Sequence, residues 1–285
     1  MSNFPLTDTE VNAFIDAAFE EDIGSGDITA ESVIPATATL NATMNAREDM
    51  VVAGLPLVEP IFKRLDPMCR IVFSAHDGDK LYAGDTILTV AGQARALLSA
   101  ERTALNIIQH LSGIATMTRR YIKRISGTGA ALLDTRKTIP GLRVLGKYAA
   151  ATGGAVNHRM GLYDAVMIKD NHIAVAGSVK AAVGASKAAG HEDVQVECDT
   201  LEQVREAIGA GANSLLLDNM PPAILRQARV IVNGAIPCEA SGGVNLDTIR
   251  AIAETGVEFI SVGRLTQSAP AVDIGLDYTP ETGSS

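Results

Sequence analysis

The sequence contains no tryptophan and only 4% aromatic residues, too few for the stacking platforms that hold single-stranded nucleic acid. A formal charge of −9 points the same way, because phosphate backbones are met by basic surfaces. Cysteine is scarce as well. Cys69, Cys198 and Cys238 lie far apart without CxxC spacing, which argues against structural zinc and suits a reducing, cytoplasmic setting. No apolar run approaches the roughly 18 residues of a membrane span. The opening MSNFPLTDTE lacks the basic start and apolar stretch of a secretory signal. Neither nucleic acid nor membrane is an expected partner. What remains is a chain of 285 residues, 47% hydrophobic, able to bury one large core or two unequal ones.

From about residue 130 the chain follows a repeated pattern. Short apolar runs end in polar residues: ALLDTRK (131–137), AVMIKDN (165–171), VQVECDT (194–200), SLLLDN (214–219), IPCEASGG (236–243) and FISVGR (259–264). Helical segments lie between most of them, at 178–190, 201–212, 221–232 and 245–256. Runs so short and apolar suit parallel strands buried on both faces, with helices as crossovers. No single glycine-rich βα turn stands out, so a barrel is favoured over an open doubly wound sheet. The fold class is α/β: a six-stranded, incomplete β/α barrel. The first 115 residues differ. Helices are expected at 11–22 and 55–65, and strands at 38–47, 69–75 and 86–92 around the turn-rich AHDGDKLYAGD (75–85). A long helix over roughly 95–126 bridges the two regions, and the tail TPETGSS is expected to fray.

In parallel β/α domains the polar residues at the carboxyl ends of the strands converge on one site. Here they are Arg136 and Lys137, Lys169, Glu197, Asp218, Ser241-Gly242-Gly243 and Gly263. Between Asp134 and His172 six cations face three aspartates inside an acidic protein. Arg143 and Lys147 read as residues of solvated helix faces. The others match a polyanion or a dicarboxylate. Glycines at the last two strand ends let backbone N–H groups approach a phosphate. Glu197 and Asp218 suit Mg²⁺, directly or through water, or ribose hydroxyls. Cys198 alternates with Glu197 and should pack away from the site. Arg159 can grip a carboxylate with two donors, and His158 can orient a ligand or stabilise negative charge. His172 reads as a structural loop partner. No Ser/His/Asp or Cys/His arrangement stands out.

Taken in order, GDIT (26–29), ERTALNIIQHLSGIAT (101–116), DTRKTIPGLR, NHRMGLYDAVMIKDNH, VECD, LLLDN, ASGG and SVGRLT resemble the quinolinate phosphoribosyltransferases (nicotinate-nucleotide pyrophosphorylases, carboxylating), across nearly the whole chain. The resemblance implies an N-terminal α/β sandwich with an antiparallel sheet (1–115) and a barrel (116–266), with segment 267–285 returning to the sandwich. It implies a homodimer, which could assemble further, in which Arg102 reaches into the partner subunit's site. Arg136, His158, Arg159 and Lys169 would hold the carboxylates of quinolinate. Thr135, Lys137 and Lys169 would serve the substrates, the lysines on phosphates of phosphoribosyl pyrophosphate. Glu197 and Asp218 would face its ribose and Mg²⁺, the only cofactor implied. Ser241, Gly242, Gly243, Val262, Gly263 and Arg264 would hold its 5′-phosphate. Lys137, Lys169, Glu197 and Asp218 are the candidate catalytic groups. The activity implied is decarboxylating phosphoribosyl transfer in NAD biosynthesis, at a cytoplasmic site. Two positions depart from the family pattern: Ile139 stands where a threonine is expected, and Arg264 where a small residue is expected. A monocarboxylate acceptor, a Schiff-base aldolase using Lys169 and a non-catalytic barrel are the competing readings.

Overall fold

The structure is a computed structural model that describes residues 4–279. It divides into two compact units. One comprises residues 1–117, 144–153 and 269–285, and the other 118–143 and 154–268.

In the first unit the chain runs through α1 (Asp8–Asp22), α2 (Ile28–Val33), β1 (Thr39–Ala46), β2 (Met50–Val51), α3 (Val58–Leu65), β3 (Arg70–Phe73), β4 (Lys80–Leu81), β5 (Thr86–Gln93) and α4 (Ala94–Ile125). Thr7 and Glu10 cap α1 reciprocally, satisfying amides that the helix itself leaves free. Pro60 is tolerated because it sits in the first turn of α3, where its missing N–H has no partner to lose. A four-stranded antiparallel sheet has the order β12-β1-β5-β3, with β12 (Ile274–Thr279) paired along β1. The turn-rich segment also holds β4, which pairs with β2 over two residues each; runs that short carry no readable alternation. Leu97, Ile108, Leu111 and Ile114 of α4 are fully buried. Its hydroxyls reach the β2 segment, Ser112 Oγ accepting from Ala53 N at 3.0 Å and Thr116 Oγ1 from Val51 N at 2.8 Å. The tail from residue 280 lies outside the described residues.

The second unit holds β6 (Ala131–Leu133), β7 (Val166–Ile168), β8 (Val194–Cys198), β9 (Ser214–Asp218), β10 (Cys238–Ser241) and β11 (Phe259–Ser261). They form one parallel sheet in the order β6-β11-β10-β9-β8-β7. That is the cyclic order of a barrel, opened between β6 and β7, where a single bridge joins Leu133 to Val156. Its helices are α6 (Asp170–Ala176), α7 (Val179–Ala188), α8 (Leu201–Ala210), α9 (Pro222–Val232), α10 (Ile249–Ala253) and α11 (Arg264–Gln267), while α5 (Arg143–Gly153), after β6 in the chain, groups almost wholly with the first unit. The expected helix over 245–256 shrinks to α10, because the Asn245 side chain accepts from the amides of Asp247 and Thr248 and holds the preceding residues in a turn.

Lys147 corrects the reading of a solvated cation. It is 1% exposed, within a helix whose residues 144–153 group with the first unit rather than with the barrel. Tyr148 beside it donates to Asp77 Oδ2 at 2.7 Å, and Asp77 also accepts from the amides of Gly54 and Leu55. Burial, then Asp77, pushes the Tyr148 hydroxyl well above its ordinary range, so it stays a donor. Composition gives no sign of this docking, because the contact is tertiary.

Candidate active site

The carboxyl ends of the barrel strands open into a cavity of about 750 Å³. Thr135, Arg136, Lys137, His158, Arg159, Lys169, Glu197, Asp218, Ser241, Gly242, Gly243, Val262, Gly263 and Arg264 all line it. The parallel register explains why. Glu197 on β8 and Glu239 on β10 both pair with Leu216 on β9, so these three residues form one row across the sheet. Asp218 and Ser241 pair one step higher. Arg102 lies elsewhere, exposed on the part of α4 that belongs to the first unit. Cys198 is fully buried and does not line the cavity.

The opening segment DTRK is fixed by its neighbours. Asp134 is buried and accepts from Asn157 Nδ2 at 2.6 Å and from the His158 amide at 2.8 Å, tying the NHR segment to the end of β6. The Lys137 amide donates to Thr135 Oγ1 at 3.0 Å, and its carbonyl accepts from Thr266 Oγ1 at 2.7 Å. Gly263 lies close beneath the Lys137 stem: a Cβ there would lie 2.7 Å from Lys137 Cδ, a contact the flexible lysine can relieve by shifting. Gly242 is under a stricter demand. Its φ is +87°, and a Cβ would sit 2.1 Å from Asn219 Oδ1 and 2.8 Å from Asn219 N.

The cations differ in how they are held. Arg159 donates to the Ala165 carbonyl at 2.9 Å. Burial first, then the Arg136 charge, lowers its pKa from the ordinary value. Arg136 Nε is buried without a hydrogen-bond partner, a donor left for a ligand in a cationic site. Lys169 pairs with Glu197, whose side chain is 9% exposed. Its amide donates to His172 Nδ1 at 2.9 Å, so His172 has the structural role read for it. Asp218 is pushed above the usual carboxylate range by burial, then by Glu197 and Asp199, against the lysines 169 and 137. Asn219, in a left-handed conformation with φ +54°, donates to Asp218 Oδ2 at 2.6 Å.

His158 sits differently from the role its resemblance implied. Its Nδ1 accepts from the Arg159 amide at 2.7 Å, and its Nε2 lies 3.1 Å from Glu239 Oε2. Both ring nitrogens are thus engaged inside the protein, and the ring lines the cavity without a spare donor. Asp134, Asn219 and Glu239 were not singled out from sequence. The signal for Glu239 was alternation: it stands two residues before Ser241 and so shares its face.

Glu197 and Asp218 fit a Mg²⁺ of the kind bound by one or two carboxylates and substrate phosphates. Among the described residues no cluster of three or more His, Cys, Asp or Glu could form a closed cage. Arg264, unexpected at its position, lines the cavity and adds positive charge at the β11 turn. Ile139 is exposed and does not line it.

The profile of the quinolinate phosphoribosyl transferase N-terminal domain matches residues 27–112, and that of its C-terminal domain matches residues 114–277. A probable nicotinate-nucleotide pyrophosphorylase (carboxylating) of Bacillus subtilis is 45% identical over 263 residues, covering 92% of this chain and 91% of its own. The corresponding enzyme of Mycobacterium leprae is 42% identical, covering 95% and 99%. The solved nicotinate-nucleotide pyrophosphorylase of Francisella tularensis superposes with a TM-score of 0.92 at 39% identity, covering 97% and 98%. Both halves of the chain, and the fold as a whole, thus match enzymes of one kind: the chain belongs to the quinolinate phosphoribosyl transferase family.

Proposed function

We propose that the protein transfers the phosphoribosyl group of phosphoribosyl pyrophosphate to quinolinate with loss of CO2, giving nicotinate mononucleotide and pyrophosphate for NAD biosynthesis. One observation carries this reading: a single cavity joins a cationic end to a carboxylate pair and two glycine turns. Arg136, Arg159 and Lys169 suit the two carboxylates of the acceptor, and His158 walls that end. Lys137 and Lys169 suit the pyrophosphate. The Ser241–Gly243 turn and the Val262–Arg264 turn suit the 5′-phosphate, where exposed amides and Arg264 meet negative charge. Thr135 shapes the turn that presents Lys137.

Glu197 and Asp218 would hold a Mg²⁺, which when bound would supply positive charge for the pyrophosphate leaving group, and would face the ribose hydroxyls. In the transfer the C1–O bond to pyrophosphate breaks and the pyridine nitrogen supplies the pair for the new C1–N bond. The lysines stabilise the leaving group. The ring is then cationic. Its C2–carboxylate bond breaks, the pair stays on C2 beside the charged nitrogen, CO2 leaves, and C2 takes a proton from solvent. The Schiff-base alternative needs a free amine, whereas Lys169 is paired with Glu197.

The reading includes a homodimer whose sites are completed by the partner's Arg102; Arg102 is exposed and is not among the residues lining the cavity, which supports this. It includes a cytoplasmic location, supported by three free buried cysteines; among the described residues no helix is long and apolar enough to cross a membrane. The test is turnover with phosphoribosyl pyrophosphate and Mg²⁺, offering quinolinate and nicotinate in parallel. Quinolinate alone should react, and a chelator should stop it. Turnover of nicotinate with quinolinate left intact refutes the assignment. Mixing Arg102→Ala with Lys137→Ala subunits should restore activity if sites are shared.

A further inference from the structure

Below the cations of the acceptor end lies a charge that the proposed reaction has not used. Glu239 is 2% exposed, yet lines the cavity floor. Its Oε2 accepts from His158 Nε2 at 3.1 Å and from Gln195 Nε2 at 2.8 Å. Its Oε1 is buried and makes no hydrogen bond of normal geometry. The amide of Arg159 donates to His158 Nδ1, so that nitrogen is bare and the ring proton sits on Nε2, directed at Glu239. Burial works to raise the Glu239 pKa. The contact with His158, followed by Ser261 and Gln195, overcomes this and leaves it below the usual range.

Glutamine at this position would accept the same two hydrogen bonds without an anion having to be desolvated, which is the unfavourable part of burying a carboxylate. What only glutamate supplies is charge. Its surroundings show where that charge acts. His158 stands directly on it, and the cavity above is walled by Arg136, Arg159 and Lys169, with Glu197 in the same row of the sheet.

We propose that Glu239 is a positioning residue, a fixed negative charge that keeps the His158 proton turned inward and offsets the cations holding the acceptor. A doubly charged acceptor needs cations to bind, but a carboxylate gripped by uncompensated cations resists leaving as neutral CO2. The buried anion sets that balance. This inference rests on quinolinate being the acceptor.

The test compares the full-length protein with its Glu239→Gln and Glu239→Asp variants. Loss of charge in Glu239→Gln should tighten quinolinate binding by about tenfold and lower kcat by about the same factor. Phosphoribosyl pyrophosphate affinity should change less than about twofold. Glu239→Asp, which keeps the charge, should bind quinolinate as the wild type does to within about threefold. A quinolinate affinity that is unchanged or weaker in Glu239→Gln overturns the proposal. A second measurement does not depend on the Glu239 variants: nitrogen NMR of ¹⁵N-histidine-labelled wild type should show one histidine, its signal assigned by its loss in His158→Asn, protonated at Nε2 alone. A proton on Nδ1 overturns it. If the wild type neither binds nor turns over quinolinate, the substrate reading fails; if it does and Glu239→Gln behaves identically, only the role of Glu239 fails.

Discussion

Gly242→Ala and Gly243→Ala are neighbouring one-methyl changes with different expected results. Both glycines have positive φ, +87° and +63°, so either alanine is strained by about 1–2 kcal/mol in the left-handed region. For Gly243 that is all, because nothing lies within 4 Å of the added Cβ. For Gly242 the Cβ would lie 2.1 Å from Asn219 Oδ1 and 2.8 Å from Asn219 N. The backbone atom cannot swing aside, so overpacking adds about 1–3 kcal/mol. A loss of about 1 kcal/mol lowers Tm by roughly 2–4 °C in a chain approaching this size. Thermal unfolding should therefore fall by about 3–6 °C for Gly243→Ala and by about 10 °C for Gly242→Ala. Moving Asn219 also disturbs Asp218, which its side chain holds, so Gly242→Ala should raise KM for phosphoribosyl pyrophosphate more than Gly243→Ala does. Equal Tm losses would refute the close-approach reasoning.

Glu197→Gln removes the partner of Lys169. Activity should fall by about 100-fold or more, while stability moves little, because Lys169 is 42% exposed and screened by water; kcat and chemical denaturation separate the two. Asp218 has a raised folded pKa, so its contribution to stability is present below the unfolded carboxylate value and lost as pH rises through the folded one. Asp218→Asn should accordingly melt higher than wild type near pH 7, with the gap closing toward pH 4, while losing turnover. Asp134→Ala removes the buried acceptor shared by Asn157 Nδ2 and the His158 amide, and should cost about 1–3 kcal/mol with a rise in KM for quinolinate.

The barrel was legible because its strands are short apolar runs whose last residues carry charge. Arg136, Lys137, Lys169, Glu197 and Asp218 could be placed at one end from that pattern, before any contact was known. Glu239 escaped notice because EASGG draws attention to its glycines, although its alternation with Ser241 put it on the same face, which the β10–β9 register fixes. Lys147 misled because its helix docks through a tertiary contact, and a lysine on a helix otherwise reads as solvated. The engagement of both ring nitrogens of His158 depends on the geometry of two distant segments. The β2–β4 ladder was too short for any alternation to show. Sequence thus located the charges at strand ends, while the charges and contacts beneath them required coordinates.

The most direct test of the account uses quinolinate carrying a carbon label in its 2-carboxylate, with phosphoribosyl pyrophosphate and Mg²⁺. One labelled CO2 should be released for each nicotinate mononucleotide formed, with pyrophosphate in equal amount. Label retained in a phosphoribosylated dicarboxylate, or pyrophosphate released without labelled CO2, would contradict a site built to bind a carboxylate and let it go.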